Sequence, residues 1–185
     1  MLMLGRLRKF RKDKRGLAAI EFAMLLPVML TLFFGVVEIS LALTCRANVT
    51  NVASVAADLV AQESSMTTAD MNNVFNAANA MLYPYDTSVA QITVSSVVYD
   101  TVSKSLTSGK VGWSCAKNAT AKSAGSTVTL PAGLMTANSS VVVAEITYNY
   151  TSPTTQFITG TKVMSNTFYL KPRRVPSIAG PPSCA

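Results

Sequence analysis

A glycine and a glutamate stand five residues apart where a basic stretch gives way to an apolar one. Gly16 precedes Leu17, and Glu21 is followed by Phe22. Because glycine has no side chain, a protease can approach the backbone closely beside it, and the Gly16–Leu17 bond is a candidate cleavage site. Cleavage there creates an amine on Leu17, one helical turn from the Glu21 carboxylate. The predicted chemistry is proteolytic processing followed by pairing of an amine with a carboxylate.

The Glu21 carboxylate needs a partner because the residues that follow it are apolar. An ionisable group inside a membrane costs about 2–4 kcal/mol unless another group pairs with it. In a filament of packed helices, Glu21 can meet the Leu17 amine of a neighbouring subunit, which offsets this cost. We therefore predict that Gly16 and Leu17 act in processing, and that Glu21 acts with Phe22 in assembly.

The rest of the sequence lacks the residues of the common enzyme sites. The chain has no His, which removes the commonest general base and the commonest metal ligand. Its three cysteines, Cys45, Cys115 and Cys184, are too far apart for a CxxC metal or redox motif. Neither a glycine-rich phosphate loop nor a G-x-S-x-G motif occurs. We expect no catalytic residues, no metal or other cofactor, and no small-molecule substrate.

Positive charge is concentrated at the start of the chain. Residues 1–16 hold seven Lys or Arg and one Asp, which account for +6 of the net charge of +7. The remaining charges are nearly balanced and show no basic stripe with interleaved aromatic residues, so nucleic-acid binding is not expected. Residues 1–16 are predicted to form a basic cytoplasmic leader that is cleaved off.

An apolar tract follows the leader and is long enough to cross a membrane. The sixteen residues 22–37 carry no charge, and about 20 helical residues span a hydrocarbon core of about 30 Å. The sequence predicts a transmembrane helix over residues 17–44. Since the basic residues precede it, the N-terminus is predicted to be cytoplasmic and residues 45–185 to form an exterior head domain.

Three other interpretations of this tract remain open. A secretory signal would be cleaved near residues 40–42, a lipoprotein signal would end at Cys45, and a plain signal anchor would stay uncut. Glu21 and Glu38 fit poorly in a secretory signal, and Thr44 fits poorly before a lipoprotein cysteine. A plain anchor leaves Glu21 unexplained. The spacing of the glycine and the glutamate favours the processed helix.

Beyond the tract, the apolar pattern changes from helical to alternating. The first helix is predicted to continue to about Ser64, and a second to begin at Thr67, where Asp70 completes a capping-box-like pair. Residues 117–140 are predicted to be a long polar loop. We expect an α+β, pilin-like fold, in which a long N-terminal membrane-spanning helix continues into a small head with one further helix and a roughly four-stranded antiparallel sheet. The predicted strands are residues 92–99, 110–116, 141–150 and 162–170.

Two of the cysteines lie in the predicted head. Cys115 and Cys184 can oxidise outside the cytoplasm, where a disulfide between them would tie down the C-terminal residues. Cys45 lies at the membrane exit and is the better candidate for an unpaired thiol. Three cysteines allow three single pairings, so the sequence leaves the connectivity open. Trp113 is predicted to be a strand residue at the margin of the core, with a functional aromatic platform as the alternative.

The leader and the segment RGLAAIEFAMLLPVMLTLFFGVVEIS resemble the TadE/TadF-like pseudopilins of the tight-adherence (Flp) type IV pilus system. The resemblance extends more weakly to the strand-rich tail. It implies processing by a prepilin peptidase, contacts with other pilins, pseudopilins and the pilus assembly machinery, and a single-pass location in the bacterial inner membrane with a periplasmic head. The residues that carry it are Gly16, Ala18, Glu21, Phe22, Ala23 and Pro27.

On this resemblance, the expected function is that of a minor pseudopilin that acts by helix packing at the base or tip of a filament. The alternative function is that of a membrane-anchored extracytoplasmic binding protein or enzyme with an ordinary signal anchor. The size of the precursor before and after membrane insertion distinguishes the two, because only the pseudopilin loses its first 16 residues.

Overall fold

The computed structural model describes residues 16–184, so the basic leader before Gly16 lies outside the described residues. Two helices precede an antiparallel sheet of five strands, which confirms the predicted α+β fold with a sheet-containing head. A short 3-10 turn, Thr87–Val89, joins the helices to the sheet. The main elements are α1 (Leu17–Ala61), α2 (Thr68–Leu82), β1 (Ala90–Tyr99), β2 (Ser108–Lys117), β3 (Thr127–Thr129), β4 (Ser140–Thr151) and β5 (Thr161–Leu170).

Helix α1 is a single helix of 45 residues, about 68 Å long at the usual rise per residue. It continues through Pro27 without a break. Its two halves differ in environment, since the N-terminal half is exposed and the C-terminal half has a buried stripe. The stripe recurs at helical spacing and comprises Cys45, Val49, Val52, Ala53, Ala56, Ala57, Val60 and Ala61.

Helix α2 begins at the predicted capping box. The Thr67 hydroxyl accepts a hydrogen bond from the Asp70 backbone N–H at 3.2 Å, and the Asp70 carboxylate accepts one from the Thr67 backbone N–H at 3.0 Å. Bonds from the Thr67 hydroxyl and backbone N–H lower the pKa of Asp70. Because two otherwise unpaired N–H groups are satisfied locally, the start of α2 was predictable from these two residues.

The sheet has the strand order β3-β2-β1-β4-β5, with every neighbouring pair antiparallel. The short strand β3 was not among the four predicted strands, because the sequence placed it inside the polar loop of residues 117–140. Three residues of β3 pair with Ser108, Gly109 and Lys110 at the edge of the sheet. This pairing joins segments distant in sequence, so the alternation within the loop did not reveal it.

The main core lies between the two helices and one face of the sheet. Alternate residues of the central strands point into it, among them Val94 of β1, whose neighbours across the sheet are Cys115 and Ala144. A smaller cluster covers part of the opposite face, where residues after β3 fold over the sheet. Its buried members are Val97, Leu130, Met135, Val141 and Val143.

Candidate functional site

The N-terminal half of α1, residues 16–34, is an exposed apolar stretch of helix, which we call the apolar rod. Every residue from Gly16 to Phe34 is exposed, although most of the side chains are large and apolar. Among residues 16–184, α1 alone is long and apolar enough to cross a membrane. A helix that is apolar all round suits lipid better than water. This half of α1 is therefore a candidate membrane span, as the sequence predicted.

The proposed cleavage site lies at the first residue of this rod. Gly16 is the N-cap of α1, and its carbonyl accepts a hydrogen bond from the Ile20 N–H at 3.1 Å. A Cβ atom added to Gly16 would meet no other atom within 4 Å, and the backbone there has a φ of −84°. The fold itself therefore does not require glycine at this position.

Glu21 and Phe22 project from the rod one turn beyond its start. Leu17, four residues before Glu21, is on the same side of the helix and is 56% exposed. No hydrogen bond or ion pair links the Glu21 carboxylate to another residue in the range 16–184. The structure thus brings Leu17 and Glu21 to one exposed face, where both can contact a second molecule.

Threonine hydroxyl groups on α1 are satisfied by the helix itself. The Thr31 hydroxyl donates to the Pro27 carbonyl at 2.7 Å, and the Thr44 hydroxyl donates to the Ser40 carbonyl at 2.9 Å. Each bond joins residues four apart, a common arrangement for threonine in helices. These side chains can therefore enter an apolar environment without an unpaired hydroxyl donor.

A second carboxylate on α1 has partners that the sequence did not reveal. Glu38 is fully buried, and it accepts hydrogen bonds from the Ser152 hydroxyl and, at 2.7 Å, from the Phe157 backbone N–H. Both donors belong to the β4–β5 loop, residues 152–160, which lies against α1 at this point. We call this contact the Glu38 clasp. It joins residues 114 and 119 positions apart, so no local sequence pattern marks it.

Cys45 is the first residue of the buried stripe and has a free thiol. Burial raises its pKa to about 11, because the charged thiolate would lose its hydration. Tyr85, from the segment after α2, donates a hydrogen bond to the nearby Leu41 carbonyl at 3.0 Å. A buried thiol with a raised pKa is unreactive, so Cys45 serves packing in this structure.

The C-terminal residues cross the head beside β2. Cys115 and Cys184 form a disulfide with their Cα atoms 5.3 Å apart. The Trp113 indole N–H donates to the Ile178 carbonyl at 2.9 Å, and Gly180 lies against the indole ring, where an added Cβ would be only 2.4 Å from the ring. Trp113 is thus a half-buried strand residue that holds the tail, and the aromatic-platform alternative has no support in this position.

Loss of this disulfide is expected to lower the free energy of unfolding by about 2–4 kcal/mol, because the bond closes a long loop and restricts the unfolded chain. The linked residues are 69 positions apart. Urea unfolding of the full chain in detergent, followed by circular dichroism, would compare the wild type with the Cys115→Ser/Cys184→Ser variant. The wild type under reducing conditions is the control. Peptide mapping without reductant that recovers both thiols free would contradict the prediction.

The fold and the exposed rod together define a class of protein, a candidate single-span membrane protein with a small α+β head. Residues 16–58 match the TadE-like protein family, which confirms the resemblance noted in the sequence. The match ends within α1 and includes none of the sheet. It supports an association with the tight-adherence pilus. No curated protein and no solved structure matches the chain.

Proposed function

We propose that this protein is a minor pseudopilin of a tight-adherence pilus, made as a precursor, cut after Gly16 by a prepilin peptidase, and active through helix packing. Its helix α1 sits in the bacterial inner membrane with the head in the periplasm, and its partners are other pilins, pseudopilins and the assembly machinery. The observation that carries the proposal is the exposed face of α1, on which Leu17 and Glu21 lie one turn apart within the segment that matches the TadE-like family.

Pairing between subunits explains this exposed face better than lipid alone does. After cleavage, the Glu21 carboxylate and the N-terminal amine of a neighbouring subunit have opposite charge, and each would be costly alone in an apolar environment. Gly16 and Glu21 are five residues apart, so cleavage makes Glu21 the fifth residue of the mature chain. The pair would then set the register between neighbouring helices.

The size of the head favours a place at the end of a filament over a place along its shaft. In the family that the chain resembles, the shaft subunit is little more than the membrane helix. This protein has a second helix and five strands after α1. Such a head would displace neighbours between close-packed bare helices, whereas at a filament end one side of the helix is free. The difference in size between this head and the bare shaft helices therefore favours a priming or capping role.

The protein is therefore expected in sheared pili at a few per cent of the shaft subunit or below detection. Its deletion is expected to abolish or sharply reduce piliation, because a filament without its primer does not start. Quantitative proteomics of purified pili, together with electron microscopy of the deletion strain, measures both. Recovery at nearly the amount of the shaft subunit would overturn the minor role, and normal piliation without the gene would overturn the role in assembly.

A further inference from the structure

The Glu38 clasp holds an uncharged loop against the apolar rod. No charged residue occurs from position 146 to position 161, a range that includes the whole β4–β5 loop. At its tip, the Phe157 ring packs on Gly35, where an added Cβ would be 3.6 Å from the ring, yet the side chain remains 49% exposed. The loop thus presents an aromatic side chain beside the segment that is a candidate membrane span.

We propose that the tip of the β4–β5 loop inserts the Phe157 side chain into the outer leaflet of the membrane, where the ring lies among phospholipid acyl chains. The proposal rests on the membrane location of α1 given above. The hydrogen bonds between the β4–β5 loop and α1 are made at Glu38, which leaves residues 17–37 for lipid. These 21 residues extend about 31 Å, close to the thickness of a hydrocarbon core of about 30 Å. Glu38 then lies at the boundary of the core on the side of the head.

Phe157 lies on the membrane side of this boundary. Gly35, which it contacts, is three residues before Glu38, so the ring is about 5 Å inside the hydrocarbon edge. Segments that bind at a membrane surface bury Trp, Phe and Leu side chains about 5–10 Å into the boundary between headgroups and acyl chains. Between the loop and α1 is a groove of about 430 Å³. Its lining residues are Leu30, Thr31, Phe34, Thr154, Gln156 and Phe157.

The clasp also pairs one backbone donor at this depth. A backbone N–H without a partner costs several kcal/mol in hydrocarbon, on the order of a lost hydrogen bond or more. The Phe157 N–H donates to the Glu38 carboxylate at 2.7 Å. Glu38 thus holds the loop against α1, with the Phe157 ring beside Gly35.

The test places a tryptophan at the proposed depth. The full chain with Phe157→Trp is reconstituted in phosphatidylcholine–phosphatidylglycerol vesicles that contain lipids brominated high or low in the acyl chain. Bromine quenches indole fluorescence at short range, and the wild type supplies the background from Trp113. Val102→Trp is the matched control, since Val102 is 90% exposed in the turn after β1, at the end of the sheet remote from the loop. Leu25→Trp reports on the membrane span itself.

We expect the added fluorescence of Phe157→Trp to be lost mostly with lipids brominated high in the chain, and that of Val102→Trp to be unaffected. An unquenched Phe157→Trp beside a quenched Leu25→Trp would overturn the proposal and leave the span intact. If neither is quenched, the span fails as well. A Phe157→Trp that is unquenched in vesicles but shielded in assembled pili would show that the loop contacts another subunit, and it would also overturn the proposal.

Discussion

The Gly16→Leu variant is expected to accumulate as the uncut precursor and to leave cells without pili. The reason lies in the peptidase and not in the fold. A Cβ at position 16 would meet nothing within 4 Å, and the backbone conformation there suits any residue. A leucine is therefore accommodated by the protein, whereas it blocks the close approach of a protease to the Gly16–Leu17 bond. The leader, with its charge of +6, then stays on the helix.

Mass spectrometry of the membrane-extracted protein measures the outcome. The wild type should begin at Leu17, and the Gly16→Leu variant at Met1. Gly5→Leu is the matched control, because it makes the same substitution in the same leader but away from the bond, and it should be cut normally. A wild-type protein that begins at Met1 or near Ala42, or a Gly16→Leu variant that is cut and piliated, would contradict the processing site.

The Glu21→Gln variant is expected to reach the membrane, to be cut, and yet to assemble few or no pili. Loss of the charge removes the cost of placing a carboxylate in lipid, so insertion is preserved. The N-terminal amine of the neighbouring subunit loses its partner, and breaking a buried ion pair from one side costs about 3–5 kcal/mol. Because the protein is proposed to prime the filament, losing this one contact is expected to prevent most filaments from starting.

Pilus counts by electron microscopy, normalised to protein level by immunoblot, measure this effect. Glu63→Gln is the control. Glu63 is exposed just after α1, so this substitution removes the same charge outside the apolar rod. It should leave piliation unchanged. Normal pili in the Glu21→Gln strain would show that the carboxylate does not direct assembly, even if processing at Gly16 proved correct.

The helices were predictable because their signals are local. The buried stripe of α1 recurs every three or four residues, and Thr67 with Asp70 marks the start of α2 within a single turn. Four strands were predictable from alternation, since one side of each faces a core. Their order in the sheet was not, because it depends on pairings such as Ile92 with Ile146 that no short stretch of sequence contains.

The candidate site likewise combines local features that the sequence predicted with long-range contacts that it did not. Gly16, Leu17 and Glu21 lie within six residues, so their spacing alone suggested a role. The partners of Glu38 were not foreseen, because Ser152 and Phe157 come from a loop more than a hundred residues further on. The sequence marked Glu38 only as a charge at an unexpected place in an apolar tract. A buried carboxylate in such a place required donors, but nothing nearby indicated where they would come from.

The unbroken course of α1 fixes the direction in which the head faces. A helix turns about 100° per residue, so Glu21 and Glu38, seventeen residues apart, are separated by about 260° around the helix axis. The clasp ties the head to that axis at Glu38, and the buried stripe ties it again from Cys45 onward. The helix between the two carboxylates is unbroken, so their relative orientation around the helix axis is fixed. A neighbour that engages Glu21 would therefore also set the direction in which the sheet faces, so one contact on the N-terminal half of α1 would orient the whole head.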